Sequence, residues 1–182
     1  MAKGHPARCP FSLPLSWRRI GCGRQNPKGS GPMPSDPSID IRPVTAEDNA
    51  VWRSLWTAYL TFYGTTVPET VYATTFDRLL SGDPWMPSGR LAWVDGKAVG
   101  LVHYLYHAHC WRVERVCYLQ DLYAAPEARG TGVGRALIEA VYARADADGA
   151  PVVYWTTHDH NTTARRLYDR IATLTPFIKY QR

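Results

Sequence analysis

A turn late in the chain has the residue types and spacing for binding an anion. It reads Pro126-Glu127-Ala128-Arg129-Gly130-Thr131-Gly132-Val133-Gly134-Arg135. Its alternate glycines leave the backbone free to curl and to present N–H groups, and the N-terminus of the following helix adds partial positive charge. Arg129 and Arg135 add full charges at the rim. The turn therefore predicts a phosphate or pyrophosphate site, the alternative being glycines that only reverse the chain.

Two common phosphate-binding motifs do not match this turn. A Walker A loop ends in Gly-Lys-Ser/Thr, whereas Arg135-Ala136 follows Gly134 here. The dinucleotide-binding pattern G-x-G-x-x-G places its third glycine one residue later and opens a domain, whereas this turn lies late in the chain. Neither of these motifs therefore accounts for the turn.

The elements that position the turn follow from hydrophobic periodicity and turn residues, in the order β-α-α-β-β-β-α-β-α-β. Predicted strands span residues 39–44, 90–94, 97–107, 115–124, 152–156 and 177–181, and predicted helices span about 45–63, 68–80, 130–147 and 161–171. This order predicts an α/β fold of mixed α+β character, with one mixed sheet and helices on both faces. The strands at 115 and 152 should be parallel, because a helix connects them.

Composition separates a basic tail from a nearly neutral domain. Residues 1–38 are rich in Pro and Gly and predict a disordered tail, and 39–182 predict the folded domain. Residues 1–32 hold six basic residues and no acid, so the net charge of +5 becomes −1 without them. Nucleic-acid binding by the domain is therefore not indicated. Met33, where ordered patterning begins, is a candidate for the true start.

Cysteine usage and hydropathy indicate a soluble protein of a reducing compartment. Neither Cys9 and Cys22 nor Cys110 and Cys117 have the spacing of a zinc site, and we predict no metal. Cys110 and Cys117 could face each other across a hairpin, but two buried or partly buried free thiols are the favoured interpretation. No apolar run is long enough to cross a bilayer. The prediction is a cytoplasmic protein without membrane attachment.

Two motifs together resemble the GNAT N-acetyltransferase superfamily. The first is Leu119-Gln120-Asp121-Leu122-Tyr123 followed by Pro126 and the turn Arg129–Gly134, and the second is Asn161, Ala164 and Leu167-Tyr168. The resemblance covers roughly residues 39–182, and the aromatic first helix and the short end after Tyr168 look like the Hpa-type branch. It implies transfer of an acetyl group from acetyl-CoA, as co-substrate, to an amine.

The resemblance also implies where the co-substrate binds. The strands at 115 and 152 would splay apart, and the pantetheine arm would lie between them. Its amides would pair with the backbone near Leu122, Tyr123 and Ala124, and the Asn161 side chain would hold it. The pyrophosphate would lie on the amides of residues 129–134. The implied cofactor-binding residues are Leu122, Tyr123, Ala124, Arg129, Gly130, Thr131, Gly132, Val133, Gly134, Arg135, Asn161, Ala164 and Tyr168.

Three residues are the candidate catalytic groups. Tyr168 stands at the family's tyrosine position and would protonate the departing thiolate, the alternative being a core tyrosine. A backbone N–H near Leu122 would stabilise the charge on the carbonyl oxygen. Many relatives have a glutamate where this chain has Gln120, which leaves Asp121 as base, acting through a water. Other candidates for the base are Glu114, the evenly spaced His103, His107 and His109, and His158 and His160.

Aromatic residues are candidates for the acceptor pocket, because in this superfamily the first two helices line the acceptor side. Cation–π contact with an amine is one interpretation, and a helix packed on the sheet is the other. Glu69 and Asp77 could pair with a cationic acceptor. The predicted substrate-binding residues are Trp52, Trp56, Tyr59, Tyr63, Trp85 and Gln120.

The acceptor itself stays open at the level of sequence. A small molecule such as an amino acid or a polyamine is the leading prediction. The alternatives are a protein lysine or N-terminus, a CoA-binding module without turnover, and a nucleic-acid binder driven by the tail. An edge strand at the C-terminus leaves pairing into a homodimer open.

Overall fold

The structure is a computed structural model, and it describes residues 38–182. The predictions of a disordered tail over 1–38 and of a start at Met33 therefore lie outside the described residues, except for Ser38. The strands are β1 (Asp40–Pro43), β2 (Ser88–Val94), β3 (Lys97–His107), β4 (Val116–Ala124) and β5 (Val152–Tyr154). The helices are α1 (Asn49–Phe62), α2 (Glu69–Leu80), α3 (Val133–Ala147) and α4 (Thr162–Ile171).

The strands form one five-stranded sheet in the order β1-β2-β3-β4-β5. Neighbours up to β4 are antiparallel, and β4 pairs with β5 in parallel. The predicted mixed sheet is therefore confirmed, as is the parallel pair joined by a helix. A parallel pair needs a crossover connection, and α3 supplies it.

Helices cover both faces of the sheet, as predicted. On one face, α3 and α4 bury an apolar cluster that includes Leu137, Ile138 and Val141, all fully buried. On the other face, α1 and α2 pack on Leu91 and Leu101 through Trp52, Trp56 and Phe76. Removing this apolar surface from water is the main driving force for the fold.

Local turn chemistry sets the ends of several elements. The Asp48 carboxylate accepts from the backbone N–H of Thr45 at 2.9 Å and so makes part of a capping box before α1. Gly64 ends the α1 segment with a φ of +66°, which glycine adopts without strain. Asp95 and Gly96 both have positive φ, as a two-residue type I′ hairpin turn between β2 and β3 requires.

The prediction of a strand at 177–181 is wrong. This segment has no regular secondary structure, and the side chains of Phe177, Ile178 and Tyr180 are exposed. Its alternating pattern is local, whereas a strand needs a partner edge, and β4 and β5 pair only over residues 116–118 and 152–154. An interface built on this strand has no support, and the homodimer stays a prediction.

The two cysteines of the domain are both free. Cys117 is fully buried, and its burial raises the pKa of the thiol to about 12, which leaves it unreactive. Cys110 is exposed, so the interpretation as buried or partly buried thiols holds for Cys117 alone. No helix within residues 38–182 combines the length and apolar character that a membrane span requires.

Candidate active site

A gap opens in the sheet where β4 and β5 part. They pair only from Val116 to Tyr118 on β4, whereas β4 continues to Ala124. The β5-facing edge of residues 119–124 is thus left without a strand partner among the described residues. Leu122 and Ala124 are half-buried along it. A strand edge of this kind has free N–H and C=O groups for an extended ligand.

An extra residue in β4 turns a carboxylate toward α1. Tyr104 of β3 lies opposite Leu119, and its neighbour His103 lies opposite Asp121, so Gln120 has no partner across the ladder. Cys117 and Leu119 point into the cluster under α3. Without the extra residue, strict alternation would place Asp121 there too. Instead Asp121 lies on the α1 face, and Gln120 is exposed.

The Asp121 carboxylate is part of a buried hydrogen-bonded chain. Its Oδ2 lies 2.9 Å from Nδ1 of His103, and Nε2 of His103 lies 2.8 Å from the indole Nε1 of Trp52. Burial, followed by the negative charge of Asp121, raises the pKa of the Tyr59 hydroxyl. Burial and the same charge also raise the pKa of Tyr63. Both phenols therefore keep their protons at neutral pH.

The glycine turn presents unpaired amides. Gly130 and Gly132 have φ of +81° and +95°, a region that disfavours residues with a Cβ. The prediction that the Arg129 amide belongs to this set is wrong, because its N–H donates to the Pro126 carbonyl at 3.3 Å. Within residues 38–182, the backbone N–H groups of 130–135 make no hydrogen bond, and α3 begins at Val133 among them. The Thr131 hydroxyl donates to the carbonyl of Ala128 at 2.8 Å and braces the turn. The arrangement suits an anion at the N-terminus of α3.

The two arginines of the turn have different surroundings. Nε of Arg129 donates to the carbonyl oxygen of Ala124 at 3.3 Å, and its guanidinium lies over the Phe62 ring, 5.5 Å from the centroid. Arg129 thus spans from the end of β4 to the end of α1. Nε of Arg135 pairs with Glu139 one turn along α3 at 2.7 Å. Both side chains are exposed, so either could turn toward a phosphate.

Helix α4 carries the second motif. The Asn161 Oδ1 accepts from the backbone N–H of Ala164 at 3.3 Å, which caps the helix. Tyr168 is half-buried against Trp155, with ring centroids 5.2 Å apart. Burial, with a smaller contribution from Tyr63, raises the pKa of Tyr168 to about 12. The Tyr168 hydroxyl is therefore protonated at neutral pH and able to donate.

A cleft of about 520 Å³ lies between the end of α1 and the loop before α4. Tyr63 and His158 pack edge to face in its lining, with ring centroids 5.2 Å apart. Its lining combines aromatic, imidazole, amide and hydroxyl groups, and it is made by Phe62, Tyr63, Gly64, His158, His160, Asn161, Thr162 and Thr163.

The predicted aromatic pocket is only partly assembled. Trp52 and Trp56 are buried and stacked in the core, with ring centroids 5.1 Å apart. Trp85 lies beside Arg115, which directly precedes β4. Arg115 is six residues before Asp121, or about 20 Å along an extended strand. Of the predicted substrate-binding residues, only Tyr63 lines the cleft. Tyr59 packs between Tyr63 and Tyr123.

The other candidates for the base lie in two different parts of the structure. Glu114 is exposed in the connection between β3 and β4. His107 lies with Nε2 2.9 Å from the Tyr154 hydroxyl, and His109 accepts from the Trp111 backbone N–H at 3.2 Å in the same connection. His158 and His160 line the cleft, with ring centroids 5.1 Å apart.

Comparison with known proteins decides the family. Residues 50–172 match the acetyltransferase (GNAT) family. The chain belongs to this family. It is 42% identical over 147 residues to the D-amino-acid N-acetyltransferase HPA3 of Saccharomyces cerevisiae, covering 79% of this chain and 90% of the relative. That similarity places it with the Hpa type, and the protein is an N-acetyltransferase, as its motifs predict.

Solved structures agree on the fold. One is the aminoglycoside N-acetyltransferase AAC(6')-Iy in complex with CoA, with a TM-score of 0.71 at 20% identity, covering 82% of this chain and 97% of the other. Another is the ribosomal-protein-alanine N-acetyltransferase of Brucella melitensis biovar Abortus 2308, with a TM-score of 0.66 at 21% identity, covering 79% and 98%. The predicted GNAT fold is therefore confirmed.

Even spacing along β3 does not distinguish His103 from His107, although the two have different surroundings. His103 is 3% exposed and hydrogen-bonded to Asp121. The signal that could have found it is the register of the β3–β4 hairpin, which places positions 103 and 121 opposite each other. Spacing within one strand does not reveal that pairing.

Proposed function

We propose that this enzyme acetylates the amino group of a free amino acid, accepting D-amino acids, with acetyl-CoA as the acetyl donor. The enzyme transfers an acetyl group to the amine of a small molecule. The observation that carries the proposal is the 42% identity to a D-amino-acid N-acetyltransferase over 90% of that relative's length. Extension of the match over nearly the whole relative favours a shared acceptor class.

The lining of the cleft supports an amino acid over a polyamine. The residues that line it include imidazoles and hydroxyls and no carboxylate. A polycation would require acidic partners in addition to the single base, whereas a carboxylate is matched by imidazole and amide N–H groups. Glu69, one of the predicted acidic partners, is already paired with Arg53, and Asp77 is exposed on α2.

The residues present fit acetyl-CoA. The unpaired amides of residues 130–135 at the start of α3 suit a pyrophosphate, with Arg129 and Arg135 as added positive charge. The unpaired edge of β4 suits the amides of the pantetheine arm. The Ala124 carbonyl accepts from Arg129 and has a second lone pair for an amide of the pantetheine arm. If Arg129 leaves this carbonyl, its guanidinium becomes free for a phosphate. The side-chain NH2 of Asn161, which lies 3.4 Å from the Thr157 hydroxyl, would donate to the pantetheine arm.

The proposed chemistry assigns one proton step to each of two side chains. When bound, acetyl-CoA supplies an acetyl group activated as a thioester. Asp121 accepts a proton from the acceptor ammonium, through a water where Tyr59 and Tyr63 separate them, and leaves a neutral amine able to attack. The C–N bond forms and the C–S bond breaks. The Leu122 backbone N–H stabilises the charge on the carbonyl oxygen, and Tyr168 donates its proton to the departing sulfur. The nitrogen, now bonded to the acetyl carbon, loses its second proton to water as the amide forms, and the Tyr168 phenolate regains a proton from water.

A panel of amines tests the acceptor. We expect release of CoA with D-amino acids, at a kcat/KM at least about tenfold above that for spermidine or a lysine peptide, because each mismatched polar or charged group costs a factor of this order. Free thiol is measured with paired D and L enantiomers, and acetyl-CoA without acceptor gives the background. Turnover of the polyamine or the peptide alone would contradict an amino-acid acceptor.

A further inference from the structure

A chain of three buried side chains lies behind the proposed base. Trp52 is 0% exposed, His103 is 3% exposed and Asp121 is 9% exposed. The chain runs from the Trp52 indole through both nitrogens of the His103 imidazole to Oδ2 of Asp121, with heavy-atom distances of 2.8 and 2.9 Å. Both distances are those of well-formed hydrogen bonds.

The chemistry of the three groups determines where the protons are. The indole N–H only donates, so Nε2 of His103 must accept with its lone pair. A neutral imidazole carries one proton, which is then on Nδ1 and is donated to the Asp121 carboxylate. An imidazolium would direct a second N–H against the indole N–H. The arrangement therefore selects a neutral His103 in the Nδ1–H tautomer.

A neutral donor is the partner that a carboxylate base needs. One hydrogen bond fixes the orientation of the carboxylate, whereas an adjacent imidazolium would also stabilise its negative charge and make it a weaker proton acceptor. The extra residue Gln120 in β4 brings Asp121 to the same face of the sheet as His103. An irregularity that re-aims one side chain beside a ligand gap is a known use of such bulges.

We propose that His103 is a positioning residue that holds Asp121 in place as the proton acceptor, and that Trp52 fixes the tautomer of His103. The inference rests on the proposed role of Asp121 as base. It gives the buried Trp52 a part in the reaction without contact to the acceptor. Trp56, stacked on Trp52 and 5.7 Å from the His103 ring, completes the packing around the imidazole.

A double-mutant cycle tests the inference. His103→Leu should lower kcat about 10- to 100-fold, as expected for misplacement of a general base, and should leave KM for acetyl-CoA within about twofold. His103→Asn is the matched control, because asparagine is close to leucine in shape but keeps an N–H near the position of Nδ1. Its kcat should stay within about fivefold of the wild-type value. In the Asp121→Asn background, His103→Leu should change kcat less than about twofold. Rates are divided by the concentration of CoA-binding sites, so that a fraction of unfolded protein does not lower the kcat of a variant.

Each outcome has a distinct meaning. Equal losses from His103→Leu in both backgrounds would show a purely structural role and overturn the inference alone. Wild-type kcat in the Asp121→Asn single variant would overturn the base and the inference together. Nitrogen-15 NMR of the wild-type imidazole needs no variant to fold. We expect the His103 proton on Nδ1, and a proton on Nε2 would overturn the inference.

Discussion

Asp121→Asn is expected to lower kcat/KM by about 100-fold or more, because an amide cannot take the proton that the acceptor ammonium must lose. In the wild type, kcat/KM should fall at acid pH, because a base acts only in its unprotonated form. The variant should lose that acidic limb and keep only the dependence that belongs to the acceptor amine. A pH–rate profile of both proteins measures the effect.

Asp148→Asn is a matched control for this prediction. Asp148 is another partly buried carboxylate, which accepts from the Tyr106 hydroxyl at 2.9 Å and pairs with Arg144. It belongs to the α3 side of the sheet, away from the proposed base, so the variant should keep the wild-type profile even where it lowers stability. An unchanged acidic limb in Asp121→Asn would exclude Asp121 and leave His158 or His160 as the base.

Tyr168→Phe is expected to lower kcat about 100-fold and to leave acetyl-CoA affinity nearly intact, because the phenol proton is needed only as the sulfur departs. Burial raises the pKa of Tyr168 to about 12. A general acid acts in its protonated form, so activity that depends on it is lost only as the pH rises through that value. Below about pH 10 the wild type should therefore show no basic limb from Tyr168.

Tyr142→Phe provides the control for loss of a half-buried hydroxyl. Tyr142 packs against the same apolar cluster, and its hydroxyl donates to the Ile171 carbonyl at 3.3 Å. Its loss should cost some stability and no turnover. Steady-state rates and CoA titrations on both variants separate the two roles. Wild-type turnover in Tyr168→Phe would show that Tyr168 is a core tyrosine and not the acid that protonates the thiolate.

Local patterns predicted most of this fold because most of its elements are set by local chemistry. The turn at Asp95-Gly96, the end of α1 at Gly64 and the positive φ angles of Gly130 and Gly132 depend on these residues themselves and not on a distant partner. The order of elements then leaves few topologies, since connections are short and parallel strands need a crossover. The sheet order and the parallel β4–β5 pair follow from these rules.

Features that depend on distant partners were not predictable in this way. Residues 177–181 alternate like a strand but find no edge to pair with. The aromatic stripe on α1 does not indicate which rings are buried, and Trp52 and Trp56 are in the core whereas Tyr63 reaches the cleft. The His103–Asp121 bond depends on a register that includes one unpaired residue, Gln120. Each of these is a tertiary relation that no single segment encodes.

Calorimetric titration with CoA tests the central claim most directly, namely that the free amides of residues 130–135 bind the pyrophosphate of acetyl-CoA. We expect one CoA per wild-type chain and at least about tenfold weaker binding by Gly132→Ala, whose Cβ disfavours the φ of +95° that this turn uses. Gly149→Ala is the matched control, because Gly149 also has a positive φ, +68°, but lies at the other end of α3 from the turn. This variant should bind CoA as the wild type does. Failure of the well-folded wild-type protein to take up CoA would contradict the account.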